Sequence, residues 1–387
     1  KSLKNNTMLL VLVAVMILFQ VLIMATGKGS LFNPANITNL INQNAYVVIL
    51  ATGMLLCILT GGNIDLSVGS IVCLVGAVCG SLIVNNNWPV SVTIVICLIV
   101  GLAIGAWHGL WIAYVHVPPF ICTLSGMLLW RGVALIILNG LTISPFPQNY
   151  MNLFSSYIPD VFLTQVTDEM SNEMYDAILE ANAKTTFIVT VIIAVICVAV
   201  MLFSSFASRI SKKKKGYDVG SFGSFIAKQI LLSAVIIAVG LFLAFDRGIP
   251  VVLILVGVIV AVYSYFTQNT VPGRYLYAIG GNKKAAQLSG VNTDNVMFFA
   301  YTNMGFLSAV AALVCVARFN SSAPTAGTNY EMDAIASCFI GGASAYGGTG
   351  TVGGAVVGAI FMGVLNNGMS ILGVDSNWQR AVKGLVL

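Results

Sequence analysis

The stretch 59–70 reads LTGGNIDLSVGS and lies between two apolar runs, 45–59 and 71–84. Its one charged residue is Asp65. A carboxylate within such runs is costly in lipid, and chains keep one there mainly to line a pathway or a helix junction. The glycines indicate a broken helix, which a membrane tolerates only where protein or a water-filled cavity covers the freed backbone. The stretch therefore predicts a membrane protein with an interrupted helix, and it favours transport over a passive anchor.

The composition supports lipid as the solvent of this chain. Of its 387 residues 58% are hydrophobic and 8% are charged, whereas a soluble domain carries about a quarter charged residues. The basic residues behind the net charge of +5 occur in short patches between apolar runs. Such patches report orientation in the membrane and do not indicate nucleic-acid binding. The eight cysteines include no C-x-x-C pair and the two histidines have no carboxylate cluster, so neither a metal nor another cofactor is predicted.

About ten segments are long and apolar enough to cross a bilayer, which needs roughly 20 residues. They predict an all-α polytopic fold with one transmembrane domain over 1–387. The first follows a basic start that we assign to the cytoplasm rather than to a signal peptide. A shorter apolar piece at 334–345 predicts a half-helix or another span, and the run from about residue 381 predicts a last helix that is cut short. The spans are 8–25, 43–60, 66–84, 90–115, 120–139, 185–206, 229–245, 249–267, 296–317 and 352–372.

The loops give the orientation. Basic residues concentrate in 207–228, with four consecutive lysines at 212–215, and in 268–295. The positive-inside rule makes both loops cytoplasmic and puts the acidic loop 140–184 outside. Within that external loop we expect a short amphipathic helix over 167–181.

A glycine-rich stretch near the C-terminus resembles a nucleotide-binding motif. The stretch 348–353 matches G-x-G-x-x-G, but no strand precedes it and no ribose-binding acid follows it in such a context. The wider stretch 341–354 favours close backbone crossing or a re-entrant turn. The chain has no phosphate loop of the form G-x-x-x-x-G-K-[ST], so ATP binding of that kind is excluded.

Polar residues within apolar segments are the candidates for a pathway. Arg131 lies near the middle of a span and needs an acceptor, which Asp65 or backbone carbonyls at a broken helix would supply. Other polar groups in spans fit interhelical hydrogen bonding equally well. The candidates for the pathway and broken helix are Asn63, Asp65, Ser67, Arg131 and Asn366.

The loop 268–295 combines glycine turns with a short helical stretch of small residues around Ala285 and Ala286. Such a helix with a basic start fits a groove on a partner protein. A tight loop that contains one helical turn explains the residues equally well.

At these same residues the chain resembles the sugar permeases of bacterial ABC importers, of the ribose, xylose and galactose types. The stretch 59–70 is similar to their TGGIDLSVG signature, and 274–290 is similar to their cytoplasmic coupling loop, with Lys284 where a glutamate is usual. The stretches 331–336, 341–354 and 362–369 are similar too, and multiple-monosaccharide permeases are the most similar subfamily. The resemblance implies these ATPase-coupling residues: Gly280, Gly281, Asn282, Lys284, Ala285, Ala286 and Gly290.

The resemblance implies a type II importer in a bacterial inner membrane. The permease would form a homodimer in membrane lipid, with separate ATP-binding subunits inside and a periplasmic or lipid-anchored sugar-binding protein outside. The monosaccharide would be galactose, glucose, xylose or arabinose-like. A bulky residue at Ala285 or Ala286 is expected to abolish coupling and leave membrane insertion intact. The acidic residues expected to dock the sugar-binding protein are Asp168, Glu169, Glu173, Glu331 and Asp333.

Two other classes of function remain open. An ion-coupled secondary transporter would use Asp65 to bind a proton or cation. A membrane-embedded enzyme would need a nucleophile, base and acid set or a metal cluster, and no such set is evident.

Overall fold

The computed structural model describes residues 7–164, 172–217 and 220–386. These residues form α-helices with short connections, a π-helical turn at Ser81–Asn85 and a 3-10 turn at Ile158–Phe162. The helices are α1 (Thr7–Ala25), α2 (Pro34–Leu59), α3 (Val68–Gly80), α4 (Val90–Ala113), α5 (Pro119–Leu138), α6 (Gln148–Phe154), α7 (Asn172–Lys214), α8 (Phe222–Ala244), α9 (Val251–Asn269), α10 (Val271–Gly281), α11 (Lys283–Leu288), α12 (Thr293–Phe319), α13 (Tyr330–Ile340), α14 (Val352–Ile371) and α15 (Ser376–Val386).

Ten helices in the described part of the chain are long and apolar enough to span a membrane, which confirms the predicted polytopic fold. The predicted break is also present: α2 ends at Leu59, α3 begins at Val68, and 60–67 is not helical. The short apolar piece near 334–345 forms the half-helix α13, which has 11 residues.

Helix α7 differs from the sequence prediction. It is one helix of 43 residues, whereas the sequence analysis placed a loop helix over 167–181, a span over 185–206 and a basic loop from 207. The polar sequences on both sides of the apolar run are themselves good helix formers, so the helix extends past the apolar run in both directions. The residues between Lys184 and the apolar run contain neither Gly nor Pro to end it.

The chain divides into two compact units. The second unit comprises 32–39 and 156–251, and its helices α7 and α8 pack together through Ala194 against Gly240 and through the rings of Phe187 and Phe245. The first unit comprises 1–31, 40–155 and 252–387 and contains the site residues discussed below, apart from the three acidic candidates at 168, 169 and 173. The sequence prediction of a single domain stays a prediction.

Small residues determine the packing in the first unit. Helix α4 carries Gly101, Gly105 and Gly109 at intervals of one helical turn, and their faces lie against α12. A Cβ at Gly105 would come within 2.6 Å of the carbonyl of Tyr301. This spacing is the small-residue pattern by which membrane helices approach closely. It brings α4 and α12 together behind the broken helix and holds His108 in the interior.

Candidate transport pathway and coupling site

The broken helix presents Asp65 to the protein interior. Asp65 is 1% exposed, and its Oδ1 accepts hydrogen bonds from the amide of Ser67 at 2.8 Å and from the hydroxyl of Ser67 at 2.6 Å. These bonds turn 60–67 so that α3 restarts directly after Ser67. The second carboxylate oxygen, Oδ2, is buried and has no hydrogen-bond partner.

The hydrogen bonds continue from Ser67 into the neighbouring helices. The Oγ of Ser67 lies 3.3 Å from Nδ1 of His108, and the indole nitrogen of Trp130 donates to Nε2 of His108 at 3.1 Å. Because an indole N–H can only donate, Nε2 is the acceptor and a neutral His108 carries its proton on Nδ1. The donors then follow one order along the chain. Trp130 donates to His108, His108 donates to Ser67, and Ser67 donates to Asp65. The sequence analysis missed His108 and Trp130 as parts of this site, since each is ordinary by itself.

Arg131 does not pair with Asp65. Its guanidinium donates to the carbonyls of Ala326 at 2.5 Å and Pro324 at 3.3 Å. Its acceptors are backbone carbonyls, but they belong to the segment before α13 and not to the break at 60–67, so neither predicted acceptor of Arg131 is the one found. Asn63, another predicted pathway residue, bonds locally: its Nδ2 donates to the Oγ1 of Thr60 at 3.1 Å.

Three backbone segments, 59–62, 280–281 and 345–348, meet in a contact that we call the glycine junction. The amide of Gly348 donates to the carbonyl of Leu59 at 3.1 Å. A Cβ added at Gly280 would overlap both of these groups. Gly62 has a φ of +74° and lies against the carbonyl of Ala345, so its conformation and its surroundings both require glycine. The junction joins the broken helix, the end of α10 and the segment before α14 without side chains between them.

Helix α11 begins directly beyond the glycine junction. One residue, Asn282, separates it from α10 and caps α11 by accepting the amide of Ala285 at 3.0 Å. Lys284 and Ala285 are exposed, Leu288 is 91% exposed, and Gly290, with φ +85°, follows the helix. A single exposed leucine is ordinary on a protein surface, so the interest of Leu288 lies in its position on the helix that follows the glycine junction. Leu288 belongs to the short helical stretch that the sequence predicts to enter a groove on a partner, although it is not among the coupling residues that the resemblance implies.

Ala286 is buried, with 6% exposure. A bulky residue there would disturb the packing of this chain itself, so a loss of coupling would not by itself identify a partner contact; that membrane insertion stays intact remains a prediction. Ala285 is exposed and keeps that expectation.

The side chain of Tyr277 links α10 to the segment before α14. The Tyr277 hydroxyl donates to the carbonyl of Gly350 at 3.0 Å. Burial raises the pKa of the Tyr277 phenol, so the group stays protonated and able to donate at neutral pH.

The two carboxylates on α13 are buried and are not surface charges. Glu331 is 8% exposed and Asp333 is 3% exposed. Asp333 pairs with Lys383 of α15 at 2.8 Å and accepts the Tyr46 hydroxyl at 3.2 Å. The first turn of a helix favours carboxylates because its amides are unpaired, and this local preference explains their position. The expectation of exposed docking carboxylates is wrong for this pair.

The remaining acidic docking candidates lie in or beside the gap before α7. Asp168 and Glu169 lie outside the described residues, and only the backbone of Glu173 is described.

Asn366, the last predicted pathway residue, lines a cavity of about 250 Å³ formed by α2, α12, α13 and α14. The cavity lies toward the ends of α2 and α14 that are far from the glycine junction. Polar and apolar groups both line it, and the polar ones include amides, phenols and a guanidinium.

Comparison with known proteins places this arrangement in context. The family model described as "Branched-chain amino acid transport system / permease component" matches residues 36–206 and 177–387. The xylose transport system permease protein XylH of Escherichia coli is 34% identical over 384 residues, 99% of this chain and 90% of that protein. The protein of the same name from Haemophilus influenzae is 34% identical over 383 residues, 99% of this chain and 94% of its own.

The ribose import permease protein RbsC of Escherichia coli is 32% identical over 377 residues, which cover 97% of this chain and 90% of that protein. No solved structure matches the chain.

Proposed function

Since the chain belongs to the family described as branched-chain amino acid transport system permease component, and is similar to xylose and ribose permeases throughout, we propose that it imports a monosaccharide with energy from ATP. The chain is a multi-pass protein of the bacterial inner membrane and a permease of the ABC sugar transporters. In the proposal it makes and breaks no covalent bond, and a separate ATP-binding subunit hydrolyses the nucleotide.

The observation that carries the proposal is the link between the exposed short helix α11 and the broken helix. Leu288 and Ala285 present an apolar surface that an ATP-binding subunit would cover. A displacement of α11 passes through the single residue Asn282 to Gly280. Gly280 is in backbone contact with Leu59 and Gly348, so the displacement reaches 60–67 and the start of α14.

This link gives alternating access a mechanical basis. Packed backbone contacts are bistable rather than soft, so a small shift at one segment moves its partners as a body. In the proposed cycle, closure of the ATP-binding subunits pushes α11, and the broken helix and α14 shift relative to α12. The bonds from Trp130 to Asp65 keep the break in one conformation during that movement.

The proposed partners follow the same scheme. A second copy of this permease completes the pathway, and a sugar-binding protein delivers the substrate to the outer face. Asp168, Glu169 and Glu173 remain candidates for docking that protein through salt-sensitive charge pairs. The proposed substrates are galactose, glucose, xylose or an arabinose-like sugar.

ATP hydrolysis in proteoliposomes tests the function. The vesicles contain this permease, its ATP-binding subunit and its sugar-binding protein, and a panel of monosaccharides is added one at a time. Stimulation by one sugar-loaded binding protein, with uptake of the same sugar, supports the proposal. An assembled complex that no monosaccharide stimulates would overturn it.

Ion coupling through Asp65 is the second candidate, and one observation favours it. The Oδ2 atom of Asp65 is buried without a partner, which is where a proton or cation would bind. Uptake that persists without the ATP-binding subunit and stops with an ionophore would support this candidate. Uptake by an Asp65→Asn variant at the wild-type rate would exclude it.

A further inference from the structure

The polar cavity is a half-open pocket between helices of the first unit. Its volume is about 250 Å³, and it lies between the middle of α2, the end of α12, the start of α13 and the second half of α14. We use "polar cavity" for the space lined chiefly by Gln43, Tyr46, Arg318, Tyr330, Asn366 and Ser370.

The size of the polar cavity limits its occupant. Liquid water takes about 30 Å³ per molecule, so the space exceeds that of one or two ordered waters. Pockets for drug-sized ligands begin at about 300 Å³. A volume of about 250 Å³ therefore suits a single small molecule, of the size of one pyranose or furanose ring.

The aromatic wall suits a ring with an apolar face. The rings of Tyr46 and Tyr330 stack on each other with centroids 3.9 Å apart and an interplanar angle of 23°. The hydroxyl of Tyr46 is fixed by Asp333, which Lys383 holds in turn. The wall is thus held in place from behind, and an aromatic ring offers an apolar face and a polar edge together.

The other lining groups suit hydroxyls. The side-chain amide of Asn366 lines the cavity, and its oxygen, which neighbouring atoms enclose, has no hydrogen-bond partner. The described residues therefore leave part of the hydrogen-bonding capacity of this amide unused. Gln43, Ser370 and Arg318 add donors and acceptors on the same surface. Of the described residues that line the cavity, Arg318 carries the one formal charge. Neutral amides and hydroxyls in excess over charge indicate a neutral polyhydroxylated ligand rather than an ion.

We propose that the polar cavity binds the transported monosaccharide directly, with the side-chain amide of Asn366 hydrogen-bonding a sugar hydroxyl and the Tyr46–Tyr330 pair packing against the ring. This inference rests on the proposed function of sugar import and adds to it that the permease itself selects the sugar. A site that hydrogen-bonds a hydroxyl discriminates strongly against an analogue that lacks it, because the polar group of the site is then left unpaired.

Saturation-transfer NMR on the full-length permease in nanodiscs tests the proposal, since the method detects weak binding. The probes are galactose, glucose, xylose, arabinose and their deoxy analogues, without ATP-binding subunit or binding protein. With the wild-type permease, we expect saturation to be transferred to the NMR signals of the sugar that the proteoliposomes import. In Asn366→Leu we expect the affinity for that sugar to fall about tenfold, the equivalent of 1.4 kcal/mol. Ser370→Ala and Tyr46→Phe serve as milder variants should Asn366→Leu fail to fold. Asn269→Leu, at an exposed asparagine ending α9, is the control.

Each outcome decides between the two proposals. Equal binding by wild type, Asn366→Leu, Ser370→Ala and Tyr46→Phe would place the ligand elsewhere and overturn the cavity assignment. Import by proteoliposomes with no saturation of any sugar would overturn it as well and leave the proposed function standing. Galacturonic acid, added as a further probe, would overturn the assignment to a neutral ligand if it bound in preference to galactose. No import of any monosaccharide would overturn the proposed function itself.

Discussion

The glycine junction lies at the end of α2 and in the segment before α14, whereas the polar cavity lies along α2 and α14 themselves, and the two are built in opposite ways. At the glycine junction backbone meets backbone, and Gly280 has no room for a Cβ beside Leu59 and Gly348. At the polar cavity side chains surround an open volume of about 250 Å³. The first arrangement transmits displacement, because packed backbone cannot be compressed. The second accommodates a molecule and can discriminate among ligands.

The comparison implies that the two regions respond differently to mutation. At the junction, steric volume should matter and side-chain chemistry should not. At the cavity, chemistry should matter more than volume. The following changes test that distinction, beginning with the largest expected effect.

Adding a single methyl group at Gly280 tests the junction. Gly280→Ala would overlap the Leu59 carbonyl and the Gly348 amide, so we expect a loss of about 1–3 kcal/mol in stability from overpacking and a loss of ATP-driven uptake. Gly281→Ala is the matched control, since no atom lies within 4 Å of its added Cβ. Thermal unfolding of the purified permease and uptake in proteoliposomes provide the measurements. If the two alanine variants behave alike, the junction does not transmit movement through close packing.

Replacing an exposed leucine tests the surface beyond the junction. Leu288→Glu puts a charge on α11 where an apolar contact is proposed, and a contact residue of this kind costs about 2 kcal/mol, or roughly 30-fold in affinity. We expect sugar-stimulated ATP hydrolysis to fall accordingly, with thermal stability unchanged.

Leu385→Glu is the control for that experiment. Leu385 is 87% exposed on α15 and Leu288 is 91% exposed on α11, so the two changes are equal in chemistry and exposure. Equal losses of hydrolysis in both variants would argue against α11 as the contact site of the ATP-binding subunit.

The sequence predicted the features that depend on local pattern. The lengths of the apolar segments predicted the membrane spans. The glycines at 61–62 together with Asp65 predicted the break between α2 and α3, because lipid penalises polar groups wherever they occur in an apolar segment. The half-helix α13 was recognisable as a short apolar piece for the same reason.

Features that depend on distant partners were not predictable. Arg131 bonds to carbonyls of Pro324 and Ala326, which are close in space and far in sequence. The burial of Asp333 follows from Lys383 on α15, and nothing near Asp333 in the chain indicates it. The predicted ends of α7 were wrong for a different reason. Hydropathy shows which residues suit the lipid region, and it does not show where a helix ends.

The ion pair behind the polar cavity gives the next prediction. Lys383→Met leaves Asp333 buried without its partner, and breaking a buried pair costs about 3–5 kcal/mol in enclosed sites. Lys383 is 22% exposed, so we expect a smaller loss of stability, together with weaker sugar binding as the wall at Tyr46 loosens. Thermal unfolding and saturation-transfer NMR measure the two effects.

The double variant Lys383→Met with Asp333→Asn removes the unpaired charge and should recover most of the stability. A double variant as unstable as Lys383→Met would show that the stability depends on the packing of the lysine stem and not on the charge of Asp333.

The smallest expected effect belongs to the side-chain bond near the junction. Tyr277→Phe removes the hydrogen bond to the Gly350 carbonyl, 3.0 Å away, and should cost about 1 kcal/mol. Burial raises the pKa of the Tyr277 phenol, and the bond needs the protonated form. Its contribution is therefore complete below the unfolded pKa of about 10 and is lost only as pH rises through the higher folded value. The difference in stability between wild type and Tyr277→Phe should stay constant from about pH 6 to 9. A loss of stability as large as that of Gly280→Ala would contradict the view that backbone packing, rather than a side chain, holds these segments together.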